Sequence, residues 1–467
     1  MRSKAFNSSR MTPSWCPERP KMRARITLVL LLLAALPSWS QVEPGATGDT
    51  TIDNGTQMMI PPPVAGVAFP DVVSSENLPN YVLLGITASG GYIENVLPAQ
   101  NAPLVNAETY SFYPTIAVAR STPYRQVTAS YSPSFLFYEP GSVSVLNTIN
   151  HGVSMTFQDR FSPHITFNME DFFYRTSDVY DQSYLFSGGV VTGSIETPTT
   201  IVIAPFEQQL SNLVHGFLTY QFGRDGMIGV GVTDSTIYFS APSATTGLGN
   251  SHSDSTWGFY NRRISRRHYL GFSYQWTRIA AQTIAERTGT QMNSLLPFYS
   301  FYFSKATSVS ISAGAQQVQV NAPVPPSLPT YSSWEPTADV SVGYQGKRGY
   351  LAASYSYTVI AGQGLLGAFN TNGANLSAGW NPARNWTTGL TFFYANTSNA
   401  TPLLSPFPGG TTVSGQVLLS HSFRESLVAT VGYERIHEDY PEILSANTDS
   451  NQVYGRITYQ FKRNVGK

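Results

Sequence analysis

The chain has 467 residues, of which 12% are charged and 13% aromatic, and its formal net charge is zero. An ordinary soluble domain carries about 25% charged residues, so the composition argues against a secreted globular protein, and neutrality excludes the basic footprint of a nucleic-acid partner.

Residues 1–40 read as an N-terminal targeting region. Arg23 and Arg25 precede the apolar run Ile26–Leu36, Pro37 breaks it, and Ser38 and Ser40 supply the small residues a signal peptidase reads, which places cleavage after Ser40. The run falls far short of the roughly 20 residues of a spanning helix, and no later segment is apolar for that long. Residues before Met22 lack signal character, so the start is expected at Met22. The only cysteine is Cys16, upstream of the cleavage point, so the mature chain is expected to have no disulfide, no thiol chemistry and no lipobox anchor. Residues 41–77, with Pro61-Pro62-Pro63, show no amphipathic period and read as a flexible periplasmic linker.

From Tyr81 onward the pattern alternates with period 2. Eight tight turns are expected near 121–123, 159–161, 223–226, 263–266, 304–306, 345–348, 381–384 and 422–425. Longer Pro/Gly/Asn-rich segments, such as 139–150, 241–254, 321–333, 397–410 and 438–450, separate the hairpins. The clearest strand is the last, where Val453, Gly455, Ile457, Tyr459 and Phe461 share one face and Tyr454, Arg456, Thr458 and Gln460 the other. Leu270, Phe272, Tyr274 and Trp276 likewise oppose Tyr269, Gly271, Ser273, Gln275 and Thr277. Short connections alternating with long ones, apolar faces turned to lipid and small polar faces turned to a lumen are the pattern of a membrane barrel. The predicted fold is all-β: a closed antiparallel transmembrane β-barrel over residues 78–463, with about 18 strands and 16 as the alternative. The 40-residue turn spacing also suits a propeller, but a blade needs four short strands where each repeat here holds two long ones, and no Trp is followed by Asp.

Motifs that carry chemistry are sparse. Gly343-Tyr344-Gln345-Gly346-Lys347 has the wrong spacing and context for a phosphate loop. The basic cluster from Arg262 to His268 sits at a short turn, where Arg and Lys collect generally, and reads as turn chemistry or contact with lipid head groups. His252 and Asp254 supply too few ligands for a metal and read as loop polarity. No histidine has a Ser or Asp partner at catalytic spacing, so no enzyme activity, metal or cofactor is expected. Charges at lumen positions are few: Glu170, Asp339, Glu434 and Arg456 are the candidate pore-lining residues, with Glu434 and Arg456 on adjacent strands as a diagonal pair. The remaining inferred lumen is Ser, Thr, Gln, Asn, Gly and Tyr, which suits neutral polar solutes better than ions. The longest loop, 176–207, is the expected constriction by analogy with general porins, with a mobile outer loop as the alternative.

The end of the first strand, Gly85-Ile86-Thr87-Ala88-Ser89-Gly90-Gly91-Tyr92-Ile93-Glu94-Asn95-Val96, and the close of the third, Tyr131-Ser132-Pro133-Ser134-Phe135 with Tyr138, resemble the EpsL-like outer-membrane barrels found with exopolysaccharide operons, and related porins. Tyr92 and Asn95 match the Tyr-Asp-Asp-Asn-like ending of that family's first strand, while Ile93 and Glu94 depart from it. The resemblance implies an outer-membrane location, lipids as neighbours and saccharide or exopolysaccharide traffic. The expected function is thus a passive porin-type channel, with a loop-occluded structural or adhesion barrel as the alternative. A homo-oligomer is compatible with either.

Overall fold

The computed structural model describes residues 80–95, 105–139, 147–177, 208–240, 249–282, 287–321, 331–361, 368–400, 409–440 and 448–465, apart from 305, 347 and 425. The targeting region, the 41–77 linker and residues 178–207 of the expected constriction loop lie outside these. All described residues belong to the compact unit that begins at Asp53.

They form eighteen strands: β1 (Tyr81–Glu94), β2 (Ala107–Ser121), β3 (Arg125–Glu139), β4 (Thr148–Ser162), β5 (Ile165–Thr176), β6 (Gln209–Phe222), β7 (Gly226–Phe239), β8 (Asn250–Arg263), β9 (His268–Gln282), β10 (Arg287–Tyr302), β11 (Thr307–Asn321), β12 (Tyr331–Gln345), β13 (Gly349–Ala361), β14 (Ala368–Trp380), β15 (Trp386–Asn399), β16 (Gly409–Arg424), β17 (Leu427–Asp439) and β18 (Asp449–Asn464). Each pairs antiparallel with its sequence neighbours, and β1 pairs with β18 from Tyr81↔Asn464 to Glu94↔Asn451, which closes the sheet. Closure leaves no edge strand, the condition for a sheet to cross lipid. The short turns and both strand termini share one end, the periplasmic end of such barrels.

The outer face confirms the alternation. Leu84, Ile86, Val230, Val417, Val431 and Ile457 point outward and are exposed. One rim of this apolar belt is marked by tyrosines whose hydroxyls bond the next polar position. Tyr110 donates to Glu108 (2.7 Å), Tyr274 to Asn293 (2.9 Å), Tyr355 to Asn372 (2.9 Å) and Tyr433 to Asn451 (2.7 Å), and Tyr131 pairs with His151 Nδ1 (3.0 Å). This is an interfacial aromatic girdle. Beyond it the same strands continue with polar outward residues, such as Arg435 on Asp449 (3.0 Å). Strands of 12 to 16 residues exceed the roughly 9–11 that cross the hydrocarbon, so the wall extends outside the membrane on the long-loop side.

Several strands run on into segments read as turns or loops, β4 and β8 among them. The expected turn at 159–161 is strand: Arg125 Nη2 holds Asp159 Oδ2 at 2.7 Å across β3 and β4, the ladder shifts register between Arg160 and Ser162, and the turn falls at Pro163-His164. Residues 250–254, read as loop, are the outer end of β8.

The wall has one local seam. The β12–β13 ladder stops at Ala338↔Tyr357, although β12 stays paired with β11 as far as Tyr331. Pro336 lies just past the break and has no N–H to offer a partner strand. Gln316 of β11 substitutes for the missing ladder: its Nε2 donates to the Val359 carbonyl (3.0 Å) and its Oε1 accepts from the Val359 amide (3.1 Å).

Candidate functional site: the inner wall

The inner face is the only large polar surface enclosed by the described strands, and most of it is short hydroxyl side chains bonded across the ladders. Thr87 meets Thr458 (2.9 Å), Thr115 meets Ser132 (2.9 Å), Ser130 meets Ser154 (2.6 Å), Ser420 meets Thr430 (2.9 Å) and Ser300 meets Ser310 (2.6 Å). Thr128 and Thr156 bond likewise. Hydroxyls serve as both donor and acceptor, so such a wall satisfies itself and still offers hydrogen bonds without fixed charge.

Glu170, Asp339, Glu434 and Arg456 all stand at inward positions, opposite Thr156, Ser312, Gln416 and Thr430 respectively. Two of them are brought together. Gln416 Nε2 donates to Glu434 Oε2 (3.1 Å) and to the Tyr454 hydroxyl (3.3 Å), and the Arg456 guanidinium lies over the rings of Tyr454 (5.1 Å) and Tyr113 (5.6 Å). Tyr454 lies flat across Gly432, where a Cβ would run into its ring. The register sets Glu434 opposite Gln452 and Arg456 opposite Thr430, four positions apart on the ladder rather than at the expected diagonal. The link between them runs through Gln416 and Tyr454. A cation over two aromatic faces is attracted by their quadrupoles, so Arg456 is held by Tyr454 and Tyr113, side chains from β18 and β2.

Asp339 and Glu170 stand apart from that cluster. Asp339 is 4% exposed and accepts from Ser312 Oγ (3.1 Å). Glu170 faces His215 across the β5–β6 ladder. His215 in turn bonds Thr233 Oγ1 through Nδ1 (2.8 Å) and stacks on Trp257 (5.6 Å between centroids, 15°).

That stack belongs to a feature absent from the sequence reading, which expected a uniformly polar lumen. Phe217, Met227, Trp257, Phe259, Tyr269, Phe298 and Tyr302 form a buried cluster on the inner side of β6 to β10. It fits against the wall because the facing positions are small: the Trp257 ring occupies the space a Cβ of Gly231 would fill. The inward glycines of β7 (Gly229 and Gly231) were the available signal, since strand glycines mark close approach by a neighbour. At the outer end Tyr440 is buried beside Glu438, and burial raises its phenol above the ordinary tyrosine range; its hydroxyl meets Thr412 Oγ1 at 3.1 Å.

The short turns are latched to each other rather than left open. Arg263 of the β8–β9 hairpin reaches Asp225 of the preceding turn (2.7 Å) and the Arg224 carbonyl (3.2 Å).

No family model matches the chain, and no characterised protein matches it in sequence. Among solved structures it is similar to OpdK of Pseudomonas aeruginosa, crystallised with vanillate (10% identity over 82% of this chain and 99% of that one, TM-score 0.39). It is also similar to OccAB4 of Acinetobacter baumannii (7% identity over 83% and 100%, TM-score 0.38) and to the FrpB iron transporter of Neisseria meningitidis (10% identity over 80% and 66%, TM-score 0.43). The closed 18-strand sheet, its outward apolar belt and its tyrosine girdle make the protein an outer-membrane β-barrel.

Proposed function

We propose that the barrel is a passive outer-membrane channel of porin type for polar, largely uncharged solutes, saccharides or exopolysaccharide-derived chains among them. One observation supports the reading: a closed sheet whose inner face, outside the aromatic cluster of β6 to β10, is a hydroxyl and amide lattice, with Asp339, Glu434 and Arg456 held to neighbouring side chains. A wall of that kind binds hydroxyl-rich solutes weakly and at many points, which permits both entry and release. Glu170, Asp339, Glu434 and Arg456 would line the path.

The experiment is single-channel conductance of the refolded mature chain in planar bilayers, with and without oligosaccharides. Steady conductance with sugar-dependent block is the expected result. Silence from a barrel shown to be folded would refute it and favour a second reading, an occluded structural or adhesion barrel. One observation favours that second reading: Asp339 and Glu434, two inward carboxylates, are each only 4% exposed.

A further inference from the structure

We propose that Asp234, His252 and Asp254 form a binding site for a divalent transition-metal cation, Zn²⁺ in the first instance, on the outward wall of the barrel beyond its aromatic girdle. Asp234 stands directly opposite Asp254 across the β7–β8 ladder, and His252 occupies the next outward position of β8, opposite Thr236. One ligand atom from each of the three lies within 4.8 Å of the other two.

The distances suit a cation held between these side chains. His252 Nε2 is 3.3 Å from Asp254 Oδ1 and 3.6 Å from Asp234 Oδ2. A charge-assisted N–H···O bond closes to about 2.7–2.9 Å, so neither contact is a well-made hydrogen bond. Ligands at about 2.0–2.2 Å from a tetrahedral Zn²⁺ stand roughly 3.3–3.6 Å from one another, the spacing of both contacts from His252 to the aspartates. The imidazole is also oriented as a metal-bound ring usually is. Its other nitrogen, Nδ1, is engaged by Thr236 Oγ1 at 3.0 Å, leaving Nε2 turned toward the two carboxylates.

Electrostatics points the same way. Two carboxylates directly opposite on a ladder repel, and a cation between them removes the repulsion. The neighbouring strands supply Asn212 of β6, opposite Thr236, and Arg278 of β9, opposite Asp254. Asn212 is turned to Asp171 (2.9 Å), and the ion pairs among the described residues do not join Arg278 to Asp254. Along β7 the outward residues before Asp234 are the exposed Ile228, Val230 and Val232, so the cluster begins where the apolar belt ends. The metal would sit outside the hydrocarbon, with its remaining coordination position open to water or to a head-group oxygen, and would staple β7 to β8.

The test is a calorimetric titration of the folded full chain in detergent with Zn²⁺, repeated on the His252→Gln, Asp234→Asn and Asp254→Asn variants and on Thr236→Val. The wild type should bind one Zn²⁺ per chain. Each ligand variant should abolish binding, and Thr236→Val should weaken it about 10–100-fold, as loss of an orienting partner does. Heat-dependent gel mobility verifies that each variant is folded. No saturable binding by the wild type, or equal affinity in His252→Gln and both Asp variants, would overturn the proposal and leave a surface ion pair only.

Discussion

Gln316 bonds a strand two places away in the wall through both ends of its amide, and its replacement by Leu has a calculable cost. The side chain is buried and bonds both backbone groups of Val359, and its Oε1 also accepts from Thr358 Oγ1 (3.1 Å). Leucine nearly preserves the volume but leaves the Val359 N–H and C=O without those partners. Each buried backbone group left unpaired costs about 1–3 kcal/mol, so the two together cost roughly 2–6 kcal/mol if the seam stays dry. Water entering between β12 and β13 would pull the loss to the lower end, about 2 kcal/mol. Gln316→Glu sets a buried carboxylate oxygen against the Val359 carbonyl, so at neutral pH it should cost at least as much as Leu. Equilibrium urea unfolding in lipid vesicles, followed by tryptophan fluorescence, reads the loss. Hydrogen exchange at the Val359 amide localises it. Unfolding within about 0.5 kcal/mol of wild type, the range of an ordinary surface change, with the Val359 amide equally protected, would refute the reasoning.

Further outcomes follow from the belt, the aromatic cluster and the lumen charges. Val431→Arg, inside the apolar belt, should cost about 2–4 kcal/mol, whereas His437→Arg, beyond the girdle on the same face of β17, should cost about 0–1 kcal/mol; equal costs in vesicle unfolding would misplace the belt. Trp257→Ala should destabilise by about 3–5 kcal/mol, because it empties the space over Gly231, measurable in the same assay. If the lumen conducts, Arg456→Gln removes an inward cation and should shift the reversal potential under a salt gradient toward cation selectivity; an unchanged potential would place Arg456 off the path. Unboiled protein in SDS should migrate differently from boiled protein, since a closed ladder resists detergent until heated, and identical mobility would contradict closure.

The strand count and most turn positions were legible because membrane strands obey a single rule: alternate residues meet lipid. Val453, Ile457, Tyr459 and Phe461 declared their face without reference to any other strand, and the structure leaves them exposed in the same parity. The rule fails where a residue's environment is set by a neighbour. Asp159-Arg160-Phe161 looked like turn chemistry because nothing local neutralises Asp159; Arg125, on the preceding strand, does. The inner aromatics were missed for a similar reason. Trp257 and Phe259 alternate with outward residues in the correct register, but period 2 says only that they face inward. It does not say that the β7 glycines leave room for their rings.

The same limit explains the treatment of His252 and Asp254. In sequence they are two ligands in what reads as a loop, too few for a metal, and Asp234 lies 18 residues earlier behind a Pro/Gly-rich segment. Register is what joins them. Because β8 begins at Asn250, the Asp234↔Asp254 pair is fixed by the same ladder that pairs Ile228 with Tyr260 inside the belt. The strand is longer than the membrane is thick, so one outward face passes from lipid into water without changing its hydrogen bonding. Below the girdle that face must be apolar. Above it, charge costs little, and residues locked into adjacent positions by the ladder can be assembled into a site with no loop to hold them. The part of a membrane barrel that looks least like a barrel in sequence, the polar end of each strand, is therefore where ligand geometry can be built most rigidly.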